Sequence, residues 1–165
     1  MKKNTFVMLS LGVTLLIASC KKEDVPANAS PNQASTSVTN TAQWKSLSWT
    51  SSKDENLITY SSKISDSSIN NNIAASGLVL VFKKSSTGIE SLPFQEKQSN
   101  IYWYYQVANG SVRINSDSKS DQNLNDQSFS YFIITPEKLS ALETQGKTKV
   151  DLLQLSYEEA VALLK

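Results

Sequence analysis

The stretch Ile101-Tyr102-Trp103-Tyr104-Tyr105-Gln106-Val107 sets four aromatic rings on consecutive residues. Side chains alternate along an extended chain, so Trp103 and Tyr105 share one face and Tyr102 and Tyr104 the other. Tyrosine and tryptophan join a flat apolar ring to a hydrogen-bonding tip, the chemistry that stacks sugar rings and grips polar ligands. One set must enter a core. The other either packs beneath a covering layer or forms a stacking row at the surface, with Trp44 as a further ring at the domain edge.

Carboxylates are the next groups able to do chemistry. Asp117, Asp121 and Asp126 lie in one polar stretch with Asn115, Asn123 and Asn125, and calcium takes oxygen ligands from such loops. An EF-hand register counted from Asp117 fails, because Lys119 holds the third position, Gln122 stands where glycine is needed and Ser128 replaces the bidentate glutamate. An irregular calcium loop and a plainly solvated hairpin loop remain as alternatives. Glu90, Glu96, Asp54, Glu55 and Asp66 sit in or beside polar turns, and no spacing ties two of them to one cleft as glycoside hydrolysis requires. No serine stands in a Gly-x-Ser-x-Gly elbow. Histidine is absent and Cys20 is the single cysteine. That removes Ser-His-Asp and Cys-His nucleophiles and ordinary zinc sites. The expectation is a protein that is not an enzyme, with no catalytic residues, no metal and no cofactor.

Cys20 has a chemistry of its own. Lys2 and Lys3 open the chain, an apolar run follows from Thr5 to Ala18, and Ile17-Ala18-Ser19 precedes the cysteine. The run is short of the ~20 apolar residues that a permanent membrane span needs and has the anatomy of an export signal. Ile17-Ala18-Ser19-Cys20 resembles the lipobox of bacterial lipoproteins. The resemblance implies removal of residues 1–19 and a lipidated Cys20, carrying diacylglycerol and acyl (palmitate-type) chains, as the new first residue. One acyl chain anchors only marginally, and two or three make release negligible. Lys21-Lys22-Glu23-Asp24 comes next. Lys22, Glu23 and Asp24 are similar to the surface-export signal of Bacteroidota lipoproteins, which implies an outer-membrane protein facing the cell exterior; a solvated charge cluster is the alternative. With Cys20 committed to lipid, no thiol is left for a disulfide, although such a compartment allows one.

Loss of Lys2 and Lys3 takes the 16 basic residues to 14 against 15 acidic ones, a balance of −1. No basic field for nucleic acid exists. From Val25 to Gln43 the chain is uncharged and lacks aromatics, with Pro26 and Pro31. It cannot bury enough apolar area to offset its ordering entropy. As a flexible coil it spans roughly 24 Å. The domain plan is thus 1–19 signal peptide, 20–43 lipidated terminus and linker, and 44–165 a single β-rich domain.

Short strands with turn signals fill that domain. Trp44–Ser51 and Leu57–Ile64 read as a hairpin turned at Lys53–Asn56. Ser65–Ser76 reads as a helical turn with Asp66-Ser67-Ser68 as its cap. Gly77–Phe82 is apolar on both faces and so reads as a central strand covered on both sides. Lys83–Gly88 reads as a polar hairpin loop and Glu90–Phe94 as a short return strand. Asn109-Gly110 marks a hairpin between the aromatic strand and Ser111–Asn115. Ser116–Gln127 reads as a loop, and Ser128–Thr135 as another strand. Thr135 and Pro136 start a helix that Gly146 ends. Lys149–Leu153 reads as a strand, and Ser156-Tyr157-Glu158-Glu159 is a capping box for a last helix. The expected fold is mainly β: an antiparallel sandwich or compact barrel-like sheet of about seven strands, with a short central helical turn and two C-terminal helices.

The order of these landmarks, from Gly77–Phe82 through Leu92-Pro93-Phe94, Tyr102–Tyr105, Gly110 and Ile114 to Phe129–Pro136, Val150-Asp151 and Ser156–Val161, is similar to a group of uncharacterised Bacteroidota surface lipoprotein β-sandwich domains. The resemblance spans residues 44–165 and implies no catalytic residue. Sequence therefore points to a lipid-anchored binding or adhesion module, held to the membrane through Cys20, with a glycan or protein partner. The alternative is an accessory subunit of an envelope complex with no ligand of its own.

Overall fold

A computed structural model describes residues 38–164 of the chain. The expected signal peptide, Cys20, the Lys22–Asp24 segment and the stretch read as linker up to residue 37 lie outside the described residues. Nine strands and four helices follow in order. They are β1 (Val38–Ser46), β2 (Thr50–Asp54), β3 (Leu57–Ser65), α1 (Asn71–Ser76), β4 (Leu78–Ser85), β5 (Gly88–Ser91), β6 (Phe94–Glu96), β7 (Ile101–Ala108), β8 (Ser111–Ser118) and β9 (Ser128–Ile134), then α2 (Pro136–Thr144), α3 (Lys149–Leu153) and α4 (Tyr157–Leu164).

The strands form two antiparallel sheets. Sheet A runs β1-β9-β4-β5 and sheet B runs β2-β3-β8-β7-β6. The architecture is a sandwich, not a closed barrel, and its alternation of residues defines two cores. Val79 and Val81 of β4 and Phe129, Tyr131 and Ile133 of β9 face sheet B, where they meet Trp103, Val112, Ile114 and Ile64. Leu80 and Phe82 of β4 and Phe132 and Ile134 of β9 point the other way, toward Leu139, Leu142, Leu152, Ala160 and Leu164 of the terminal helices. Strands buried on both faces must be apolar on both, which is why Gly77–Phe82 lacks alternation. The molecule is layered as helices, sheet A, sheet B. The outer face of sheet B carries no layer of its own among the described residues.

Several local readings are corrected. The first strand begins at Val38, within the stretch read as linker, and pairs with β9 from Val38↔Ile134 to Ser46↔Ser128. Trp44–Ser51 is therefore not one strand. The chain leaves sheet A after Ser46 and enters sheet B at Thr50, with Leu47 and Trp49 packed on the inter-sheet core at the crossing. Glu90–Phe94 is likewise divided between β5 and β6, which belong to different sheets. The helix-capping residue of α1 is Asn70, whose Oδ1 accepts from Ile73 N at 3.0 Å. Asp66 instead accepts from Ser68 N and from the Tyr131 hydroxyl at 2.6 Å. Lys149–Leu153 is a helix, because Thr148 and Asp151 cap each other reciprocally; the chain ends in three helices rather than two. Ser156 and Glu159 form the expected capping box, with Ser156 N donating to Glu159 Oε2 at 2.8 Å.

Glycine is required at position 77. A Cβ there would lie 2.8 Å from the Ile134 carbonyl oxygen and 2.9 Å from that of Ile73, too close for any side chain. No described helix is long and apolar enough to cross a membrane.

Candidate functional site

The aromatic strand is β7, and its two faces have separate fates. Trp103 is 1% exposed and packs edge-on against Trp49, with ring centroids 5.8 Å apart. Tyr105 also points inward and donates its hydroxyl hydrogen bond to the Val79 carbonyl at 2.6 Å. Burial pushes its phenol up to about 12. Tyr102 and Tyr104 point outward on sheet B and stack on each other, with centroids 5.5 Å apart and planes 22° apart. Tyr102 is 44% exposed. The terminal helices cover sheet A, so they leave this pair open.

Register sets the neighbours of the tyrosines. Across the strands one row reads Gln95, Tyr102, Asp117, Thr59. The next reads Tyr104, Asn115, Ser61, Thr50, and the third Gln106, Arg113, Lys63. Asp117 accepts from Thr59 Oγ1 at 2.8 Å, and Asn115 Oδ1 from Ser61 Oγ at 2.7 Å. Partial burial, the Asp117 carboxylate and Tyr102 together raise the Tyr104 phenol above its ordinary value, so it stays a neutral donor. Asn115 is 3% exposed, yet its Nδ2 has no hydrogen-bond partner. A buried amide donor without a partner costs about 1–3 kcal/mol. It lies under the row between Tyr104 and Ser61, closed off from solvent. Lys63 and Arg113, both exposed, face each other across the ladder, a pairing of like charge that disfavours the bare surface. The face thus offers two stacked rings, hydroxyls, a carboxylate and two cations.

These placements also correct the loop reading of residues 116–127. The strand read as ending at Asn115 runs on to Ser118, so Asp117 is in β8, engaged with β3, while Asp121, Asn123, Asn125 and Asp126 remain in the connection. Among the described residues no three acidic, cysteine or histidine side chains gather as a metal-binding group. Of the remaining carboxylates, Asp54 ends β2 and Glu55 sits in the turn after it. Burial raises the Asp66 carboxyl, but the hydrogen bonds from Tyr131 and Ser68 outweigh it and hold it below the ordinary value.

Two carboxylates do share a cleft, contrary to the sequence reading. Glu90 of β5 and Glu96 of β6 line one cavity of about 540 Å³ together with Lys83. Sequence placed Lys83 in a polar loop. It lies in β4, in register with Phe129 on one side and Glu90 on the other, and is 1% exposed. Its ammonium donates to Glu96 Oε1 at 3.3 Å and lies 4.7 Å from the Trp103 ring centroid and 5.4 Å from that of Phe94. Burial raises the Glu96 carboxyl, but the hydrogen bond from Ser99 and the Lys83 ammonium outweigh it, so Glu96 titrates below the ordinary glutamate. A carboxyl held ionised in this way is a poor general acid. No family model, curated protein or solved structure matches this chain.

Proposed function

We infer that this protein is a lipid-anchored, non-catalytic binding or adhesion module of the cell surface, and that it takes its ligand on the open face of sheet B. The observation that carries the reading is the exposed Tyr102–Tyr104 stack on a sheet face that the helices leave bare. Stacked rings next to the Tyr104 hydroxyl and the Asp117 carboxylate suit a glycan, whose hydroxyls both donate and accept. Lys63 and Arg113 favour one that carries acidic groups. Attachment runs through lipid on Cys20.

Two measurements test this. The full-length chain in detergent is applied to an array of neutral and acidic glycans, beside its Tyr102→Ala and Tyr104→Ala variants. Binding that each variant weakens by about tenfold, from the loss of a ~1–3 kcal/mol stacking contact, is the expected outcome. Equal binding by all three chains ends the assignment of the site. Separately, a Cys20→Ser chain is expected to take up no labelled fatty acid and to leave the membrane fraction. Continued membrane retention would remove the anchor from the proposal.

A further inference from the structure

Lys83 is the one charged side chain that is buried among the described residues. An ammonium withdrawn from water loses several kcal/mol of hydration after relaxation. At 1% exposure Lys83 has one hydrogen-bond acceptor, Glu96 Oε1 at 3.3 Å, and two ring faces. The ammonium carries three N–H donors, and Glu96 is its one hydrogen-bond acceptor among the described residues. Apolar residues occupy the neighbouring inward positions of β4, Val79 and Val81. A leucine or methionine at 83 would continue that pattern without the desolvation cost. Stability alone does not account for a lysine here.

Its position does. Lys83 lines the cavity between β5 and β6, the edge strands at the same end of both sheets. The chain crosses between them directly, through Leu92 and Pro93. Phe94 supplies an apolar ring at the wall, while Glu90, Lys97 and Gln98 add polar groups around it. Glu96 is fixed twice, by Lys83 on Oε1 and by Ser99 on Oε2. Two cations and two carboxylates line the space, so their formal charges cancel and neither an anion nor a cation is favoured by net field. Donors and acceptors are interleaved beside one ring. The volume falls within the usual range for small-molecule sites.

We propose that this cleft is a second binding site, for a neutral polyhydroxylated ligand of one or two sugar rings. The ligand's ring oxygen and hydroxyls accept from Lys83 and Gln98, its hydroxyls donate to Glu96 and Glu90, and its C–H face lies against Phe94. The tyrosine face lies on the outer side of sheet B, and Gln95, in register with Tyr102, borders both.

The test is isothermal titration calorimetry on the full-length chain in a zwitterionic, sugar-free detergent. Probes are methyl glucoside, methyl galactoside, methyl mannoside, lactose and cellobiose, with sodium acetate and inorganic phosphate as the anion arm. Tryptophan emission is followed in parallel, because Trp103 lies beside Lys83. Lys83→Met removes the donors and keeps the stem. Gln98→Ala acts at the exposed rim, where folding is not at stake. At least one sugar is expected to bind and shift the emission. Its affinity should fall about tenfold in Lys83→Met and a few-fold in Gln98→Ala, and stay unchanged in Tyr104→Ala. Binding unaltered by Lys83→Met and Gln98→Ala overturns the proposal. So does preferential binding of acetate or phosphate, or the absence of any sugar binding. Loss in Tyr104→Ala alone assigns the sugar to the outer face of sheet B and also overturns the cleft, leaving the tyrosine-face reading intact.

Discussion

Tyr105 shows how one hydroxyl ties the two sheets together. It sits on β7 of sheet B and donates to Val79 on β4 of sheet A. Its phenol is raised to about 12 from an ordinary value near 10. The folded state therefore holds this proton more tightly than the unfolded one. Above pH ~10 the unfolded chain loses a proton that the native chain keeps, so stability falls with rising pH until the native group also ionises near pH 12. Tyr105→Phe is expected to flatten this part of the alkaline stability profile, a difference of about 2 kcal/mol between the chains in urea melts compared at pH 9 and pH 11.5. Below pH 9 the same variant should cost about 1–2 kcal/mol, from a carbonyl left without its donor. At this scale the sequence was only half informative. Alternation sorted the four rings of residues 102–105 correctly into two faces, because period two is a local property of the backbone. Lys83 was misread as a loop residue for the opposite reason. Nothing local to Lys83-Lys84-Ser85-Ser86 reveals that Phe129 and Glu90 continue the ladder on both sides of it.

The strand β1 decides where the domain starts. It covers the outer edge of β9, a strand buried along most of its length. A chain starting at Trp44 loses the pairs from Val38↔Ile134 to Thr41↔Tyr131 and leaves that edge of β9 as a template for aggregation. Such a chain should melt lower and self-associate in sedimentation experiments, whereas one starting at Ala34 should not. Equal behaviour would show that residues 38–43 are dispensable. The helices were easier to read, since capping boxes are written in four residues. Ser156 and Glu159 are an example, and Thr148 with Asp151 is a second that the strand reading of Lys149–Leu153 missed. Ser156→Ala and Thr148→Ala should each cost about 1 kcal/mol in thermal or urea melts. A loss only at Ser156 would mean that α3 is held by Leu152 alone. Strand divisions at Leu47–Trp49 and at Leu92-Pro93 were not legible, because a strand that changes sheets keeps an unbroken polar–apolar rhythm along the chain.

Across the whole molecule, the layers explain why one sheet face is open and the other is not. Leu80, Phe82, Phe132 and Ile134 put four large apolar side chains on the helix side of sheet A. Each gains about 1.5–3 kcal/mol from burial. Removing residues 136–165 should therefore expose that face, bind a hydrophobic dye such as ANS and drive aggregation. A soluble truncated chain that binds no dye would show that sheet A does not need its cover. On the outer face of sheet B the matching positions are Thr59, Ser61, Lys63, Arg113, Asn115 and Asp117 around the two tyrosines, and they need no cover. The amino-acid sequence by itself determined the mainly β class, the antiparallel hairpins, the doubly buried strands β4 and β9 and the caps of α2 and α4. These follow from side-chain periodicity and turn chemistry within a few residues. It also excluded histidine and thiol chemistry beyond Cys20 by composition alone. Only the tertiary structure decided which sheet each strand joined, which aromatic face stayed open and that Lys83, Glu90 and Glu96 share one cleft. Those facts depend on pairings between residues far apart in the chain, and register and packing order, not local preference, bring such residues together.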